Sequence, residues 1–201
     1  MAESPVRFDL VDIDTAAWSK LAVAAKHPDS SFRYLNLCTA DRENKPQARL
    51  VVLRRVDVMA RMLEFYTDIR SPKWEQLSKN PHAVVLGFCT QTRLQLRLKG
   101  GVEMHAPGSL EAEAAWQTLP AWTRSTYTGG PPGDERAFTD VEDKSHAQLP
   151  HLDVEDKKNF GILRFQAEDL DLVQLLRSDN RRAKFSYNDT GKLVVSQWLN
   201  P

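Results

Sequence analysis

The chain has 201 residues, with 27 lysines and arginines against 27 aspartates and glutamates, and 41% of it is apolar. That length and apolar share suit a single domain with a real core. A formal net charge of zero argues against broad nucleic-acid binding, which relies on surplus positive charge meeting phosphates. No apolar run reaches the roughly 20 residues that cross a bilayer. The opening MAESPVRFDL lacks the basic-then-apolar pattern of a signal peptide. The expectation is a cytoplasmic protein with no membrane partner.

An N-terminal helix is expected over about 14–27, capped by Asp14, with Ala17, Trp18, Leu21, Ala24 and Ala25 at helical spacing. Strand-like runs follow at Phe32–Thr39, Gln47–Leu53, Met62–Thr67, His82–Cys89 and Leu94–Met104. A helix interrupts them, with Ser71 as N-cap, Pro72 in its first turn and Asn80-Pro81 as its stop. A second helix is expected from Ser109 to Leu119. An irregular insertion, opening on a glycine- and proline-rich loop, is expected over about 128–158. The end returns to strands at Phe160–Gln166, Leu170–Leu176, Ala183–Tyr187 and Leu193–Leu199, the last two joined by a turn at Asn188–Gly191. The sum is a mainly β domain over 1–201, closed or nearly closed into a barrel because closure removes exposed edges.

Four clusters could carry chemistry. Arg49 and Arg54 bracket Leu50-Val51-Val52-Leu53; with opposite parity they point to opposite faces of a regular strand. Either could hold an anion, although spacing alone favours solvated strand ends. Tyr66-Thr67-Asp68-Ile69-Arg70-Ser71-Pro72-Lys73 runs a strand into a helix start, where free N–H groups, hydroxyls and two cations could cradle a phosphate. Gln95 lies on the outward face of an alternating strand whose Leu94, Leu96 and Leu98 face the core; its amide suits the edge of a heterocycle or simply a solvated sheet. Trp116 and Trp122 flank Leu119-Pro120 and could wall a ring-binding cleft or pack a core. The acidic pairs Asp12/Asp14 and Asp169/Asp171 read as caps or surface. Cys38 and Cys89, outside any metal or CxxC spacing, read as reduced buried thiols. The five histidines show no zinc-binding spacing, and no GxSxG, Walker or GxGxxG motif occurs.

In their order these pieces — ARLVVLR, LEFYTDIRSPKWEQLSKNPHAVVLGF, LQLRLKGGVE, DNRRAKFSY and the closing VVSQWLNP — resemble the pyridoxamine 5′-phosphate oxidase family, in its related FMN-binding branch. The resemblance runs from about Phe32 to Pro201. It implies an FMN-binding split barrel working as a homodimer with FMN at the interface, and an FMN-dependent oxidoreductase acting on a small molecule. It assigns Arg49, Leu50, Val52, Leu53 and Arg54 to the flavin, Tyr66 and Thr67 to its ring or ribityl region, and Ser71 and Lys73 to its phosphate. Gln95 would reach the flavin across the interface. Pro72 stands where the family has an arginine, so Arg70 is expected to supply that charge. On the substrate side the matching places carry Arg54, Trp116, Leu119 and Thr123, and the family's arginine-x-histidine reads Asn180-Arg181-Arg182. Trp116, Thr123, Arg181 and Arg182 are thus the candidate substrate residues, without the histidine. The alternatives are a non-catalytic carrier or sensor of FMN or a B6 vitamer, and a haem-binding split barrel.

Overall fold

The computed structural model describes residues 9–134, 156–177 and 179–201. In chain order the elements are α1 (Leu10–Ala24), β1 (Tyr34–Ala40), β2 (Pro46–Asp57), β3 (Met62–Asp68), α2 (Pro72–Lys79), β4 (His82–Cys89) and β5 (Leu94–His105). Then come α3 (Leu110–Thr118), α4 (Ala121–Arg124), β6 (Phe160–Gln174), β7 (Arg181–Tyr187) and β8 (Leu193–Leu199). The strands form one antiparallel sheet in the order β3-β2-β1-β4-β5-β6-β7-β8. β3 also pairs with β6, so the first six close into a barrel. Residues 135–155, most of the expected insertion, lie outside the described residues. No described helix is long and apolar enough to cross a membrane.

β6 is one strand of 15 residues where the sequence suggests two. Glu168 and Asp169 look like a break because a strand interior rarely carries adjacent acids. Here Ala167 faces the core, while Asp169 accepts a hydrogen bond from Ser186 on β7 at 2.5 Å. Along one edge of β6, residues 160–166 pair with β3 and residues 169–174 pair with β7; β5 lies along the other edge. The strand therefore closes the barrel and then leaves it. Close β5–β6 approach is made at Gly100, where the register shifts and an added Cβ would sit 1.9 Å from the Gln166 carbonyl oxygen.

Alternation along β6 divides the apolar residues between two clusters. Leu163 and Phe165 join the barrel core with Leu37, Leu53, Phe65 and Leu96. Phe160 and Ile162 face the other way, where Trp116, Leu119 and Tyr127 cover them. The helix expected from Ser109 to Leu119 is thus α3, capped by Ser109 and followed by the short α4.

α1 starts at Leu10, earlier than expected, because Asp9 is the cap: its carboxylate accepts from the Val11 N–H at 2.8 Å. Asp14, read as a cap or surface acid, is fully buried on the inner face. The Tyr187 hydroxyl donates to it, as does Arg61 Nη2 at 2.6 Å, and Trp18 Nε1 donates to Tyr187 Oη at 2.9 Å. Burial raises the Asp14 pKa, against the pull of Tyr187 and Arg61. Arg61 also covers the Trp18 and Tyr187 rings at 5.2 and 5.1 Å. It can do so because the β2–β3 turn meets the β7–β8 turn at Gly191, whose φ is +79° and whose added Cβ would lie 2.5 Å from the Ala60 and Met59 backbone.

Gly191→Ala should therefore lower the unfolding free energy by about 1–3 kcal/mol, the usual cost of forcing a side chain into such a conformation. Gly129→Ala, in open space, should stay within about 0.5 kcal/mol in the same urea titration.

Candidate functional site

The end of β3 and the start of α2 form a tight cationic corner. Ser71 has the backbone geometry of an N-cap, yet its hydroxyl does not cap the helix. It donates instead to the Asp68 carbonyl at 2.6 Å, accepts from Lys73 Nζ at 3.0 Å, and lies 3.3 Å from Thr67 Oγ1. Pro72 has no N–H and the Trp74 N–H donates to the Ser71 carbonyl at 3.0 Å, so what α2 offers here is the Lys73 N–H and the positive end of its dipole, with no side-chain cap. The helix is seated by Trp74 against Gly161 of β6, where an added Cβ would lie 2.6 Å from the indole.

Arg49 points inward at the β2 end facing α2. Its Nη1 donates to Thr39 Oγ1 at 2.6 Å and to the Leu37 carbonyl at 3.2 Å; its Nη2 donates to Gln76 Oε1 at 2.9 Å. Lys73 stands close enough for the two charges to repel. Burial, and then Arg49, lowers the Lys73 pKa, and burial lowers that of Arg49. Two partly desolvated cations beside a helix start and two hydroxyls form a donor set that fits a phosphate dianion.

Leu50 and Val52 alternate to the outside of the barrel. Leu50 is 65% exposed and Leu53 is wholly buried. The Leu53 side chain, expected at the flavin, is thus a core residue; its parity with Val51 decides this. Beside Leu50 and Val52 on the same outer surface lie Asn36, Tyr34, Leu86 and Phe88, and Phe88 faces Gln95 across β4–β5. Gln95 is outward, as its alternation predicts. The Arg54 guanidinium lies 5.6 Å from the Tyr66 ring centroid, and its Nε is buried with no hydrogen-bond partner among the described residues. Burial is the main reason the Tyr66 pKa is raised. Next to Tyr66 opens a cleft of about 490 Å³, lined also by Arg55, Glu64, Leu110, Glu111 and Arg164.

Other candidates lie elsewhere. Arg70 is clasped by Asp68 (Nη2 to Oδ2, 2.6 Å) and donates to the Gly129 carbonyl at 2.9 Å, so its guanidinium ties down the 127–129 segment. Trp116 is buried against Tyr127 and Phe160, whereas Trp122 is 64% exposed, so the two do not wall one cleft. Thr123 is buried with its hydroxyl unpartnered among the described residues. Arg181 faces the α1 side and edges a cleft with Ile13, Leu94 and Trp198. Arg182 faces the other way, bound through Nε and Nη2 to Asp171 at 3.0 and 2.8 Å.

Asp171, read as cap or surface, is buried and also paired with Arg97. Burial pushes its pKa up, but the two guanidiniums outweigh that and hold it below the ordinary carboxylate value. Sequence reasoning missed Thr39, Gln76, Arg97 and Asp171. Gln76 was findable: it lies three residues after Lys73, on the same helix face. Asp171 was not, because the register that sets it between Arg97 and Lys184 is a tertiary fact.

Residues 15–106 match the family model described as pyridoxamine 5′-phosphate oxidase, FMN-binding domain. A pyridoxine/pyridoxamine 5′-phosphate oxidase of Paraburkholderia phymatum is 33% identical over 107 residues, 53% of this chain and 48% of that protein. One from Cupriavidus taiwanensis is 34% identical over the same shares. The chain thus spans about half the length of these curated relatives. Among solved structures, a pyridoxamine 5′-phosphate oxidase-related, FMN binding protein from Nostoc punctiforme has a TM-score of 0.71 at 24% identity, with 100% of both chains covered. PhzG from Burkholderia lata, in complex with tetrahydrophenazine-1-carboxylic acid, has a TM-score of 0.71 at 18% identity over 100% of both chains. Both share the fold.

Because the folded-state pKa of Asp171 is depressed, its stabilising contribution is present above the ordinary carboxylate range and lost as pH falls through the folded value. Asp171→Asn should cost about 1–2 kcal/mol near neutral pH, and urea titrations should show that difference closing as pH falls below the ordinary carboxylate range.

Proposed function

We propose that the chain, whose residues 15–106 match the FMN-binding domain model of pyridoxamine 5′-phosphate oxidases, binds FMN and acts as an FMN-dependent oxidoreductase on a small molecule. The carrying observation is the Arg49–Lys73 pair at the start of α2. Two cations share a half-buried corner, and Arg49 is held there by neutral acceptors alone. Such a corner gains from a phosphate what it loses by keeping like charges together. Ser71, Thr67 and the Lys73 N–H at the start of α2 complete the phosphate side; Leu50, Val52 and Tyr66 offer the surface for the flavin ring. When bound, FMN would supply hydride chemistry, leaving the protein to orient and shield the substrate.

A second copy would provide the missing wall. Leu50, Tyr34 and Phe88 are 65%, 55% and 43% exposed on adjoining strands β2, β1 and β4, and a contiguous apolar patch of this kind marks an interaction surface. A two-fold axis would bring the partner's copy of the same sheet against it, with Gln95 and Arg182 on that sheet. The cleft beside Tyr66, lined by Arg55 and Arg164, is the proposed substrate space. Fold alone does not name that substrate. One observation favours the non-catalytic reading: Trp116, Leu119 and Thr123 are buried rather than lining an open pocket, which suits a flavin or B6-vitamer carrier.

Purified protein should show bound-flavin bands near ~370 and ~450 nm and elute as a dimer. Lys73→Ala should weaken FMN binding about tenfold, near 1.4 kcal/mol, whereas Arg70→Ala should change it less than about threefold. Equal losses for the two variants would move the phosphate away from Lys73. Absence of flavin bands, with no binding at micromolar FMN, would overturn the flavin reading. Turnover of a small-molecule reductant would decide for the enzyme over the carrier.

A further inference from the structure

We propose that Gln76 is a positioning residue that holds Arg49 for the cofactor phosphate while leaving its charge unneutralised, an inference that rests on the flavin reading above. Gln76 Oε1 accepts two hydrogen bonds, from Arg49 Nη2 at 2.9 Å and from Thr39 Oγ1 at 2.6 Å. Thr39 Oγ1 accepts in turn from Arg49 Nη1 at 2.6 Å. The three side chains close a ring that fixes the guanidinium plane. With the Leu37 carbonyl, every acceptor of Arg49 among the described residues is neutral.

That neutrality sets Arg49 apart from most anchored guanidiniums of the chain. Arg61 is held by Asp14, Arg70 by Asp68, Arg164 by Glu64, and both Arg97 and Arg182 by Asp171. Among the described residues Arg33 and Arg124 also have neutral acceptors; Arg33 donates to the Ala25 and Leu53 carbonyls and so ties the end of α1 to β2, and Arg124 Nη2 donates to the Gln117 carbonyl at 3.0 Å. The acid nearest in sequence to Gln76, Glu75, is turned to Arg42. A carboxylate at position 76 would satisfy Arg49 at least as well as an amide does, since charged hydrogen bonds are the stronger ones. It would also cancel one of the two positive charges at the corner. An amide fixes the geometry and keeps both charges for the ligand. Lys73 and Gln76 lie one turn apart on α2, so one helix face carries both a charge and the bracket for the other.

The test is the ratio of FMN to riboflavin affinity, measured by flavin fluorescence, since the two ligands differ only in the phosphate. Gln76→Glu should weaken FMN about tenfold and leave riboflavin within about twofold, with weaker salt dependence for FMN and a thermal midpoint at or above wild type. Gln76→Leu, which keeps both cations but removes the acceptor, should weaken FMN about threefold and leave riboflavin unchanged. Should Gln76→Glu fail to fold, the Leu variant carries the test through the same ratio. Parallel loss of both ligands would make Gln76 merely structural and overturn the proposal. Unchanged FMN affinity in both variants, with wild type binding FMN, would overturn it and leave the flavin reading standing. Failure of wild type to bind FMN would remove both.

Discussion

One strand edge is shared by two neighbours, and the molecule is arranged around that fact. The edge of β6 that closes the barrel against β3 is the same edge that, a few residues later, takes up β7. A single edge cannot hydrogen-bond two strands at one point, so β3 must begin where β7 ends. That places the β2–β3 turn against the β7–β8 turn, and Arg61 and Gly191 meet there. It also lets the end of β3 run straight into the turn that starts α2, where the cationic corner forms.

The corner depends on burial being incomplete. A fully buried pair of cations would be prohibitively costly, and a fully exposed pair would be screened into insignificance. Arg49 and Lys73 sit between these limits, at the rim where α2 covers the barrel. The hydroxyls of Thr39, Ser71 and Thr67 and the amide of Gln76 provide directional partners without charge. The outer surface nearby is of a different kind, with Leu50, Val52 and Phe88 giving an apolar wall. A ligand with an anionic tail and a flat apolar body matches the two parts in the order in which the strand presents them.

Much of this was legible in the sequence because it follows from period and punctuation. Alternation in β5 set Gln95 outward, and Ser71-Pro72 marked the start of α2. What was not legible came from pairings distant in sequence. Asp14 looked like a cap because caps are local and its partners Arg61 and Tyr187 are not. Asp171 looked superficial because nothing near it in sequence announces Arg97. Leu53 was assigned to the cofactor with its neighbours, although parity alone gives it to the core with Val51. Arg70 was expected to replace the charge missing at Pro72, and its pairing with Asp68, two residues away, was not foreseen.

The Asp14–Tyr187 contact spans 173 positions of the chain. During synthesis α1 leaves the ribosome 173 positions before the tyrosine that buries its aspartate. Until then Trp18, Leu21 and Asp14 have no completed seat, and a helix with an apolar face and an unpaired inner carboxylate must wait. Docking of α1 thus waits on completion of the β7–β8 hairpin, and loss of β8 would unseat a helix far from it in sequence.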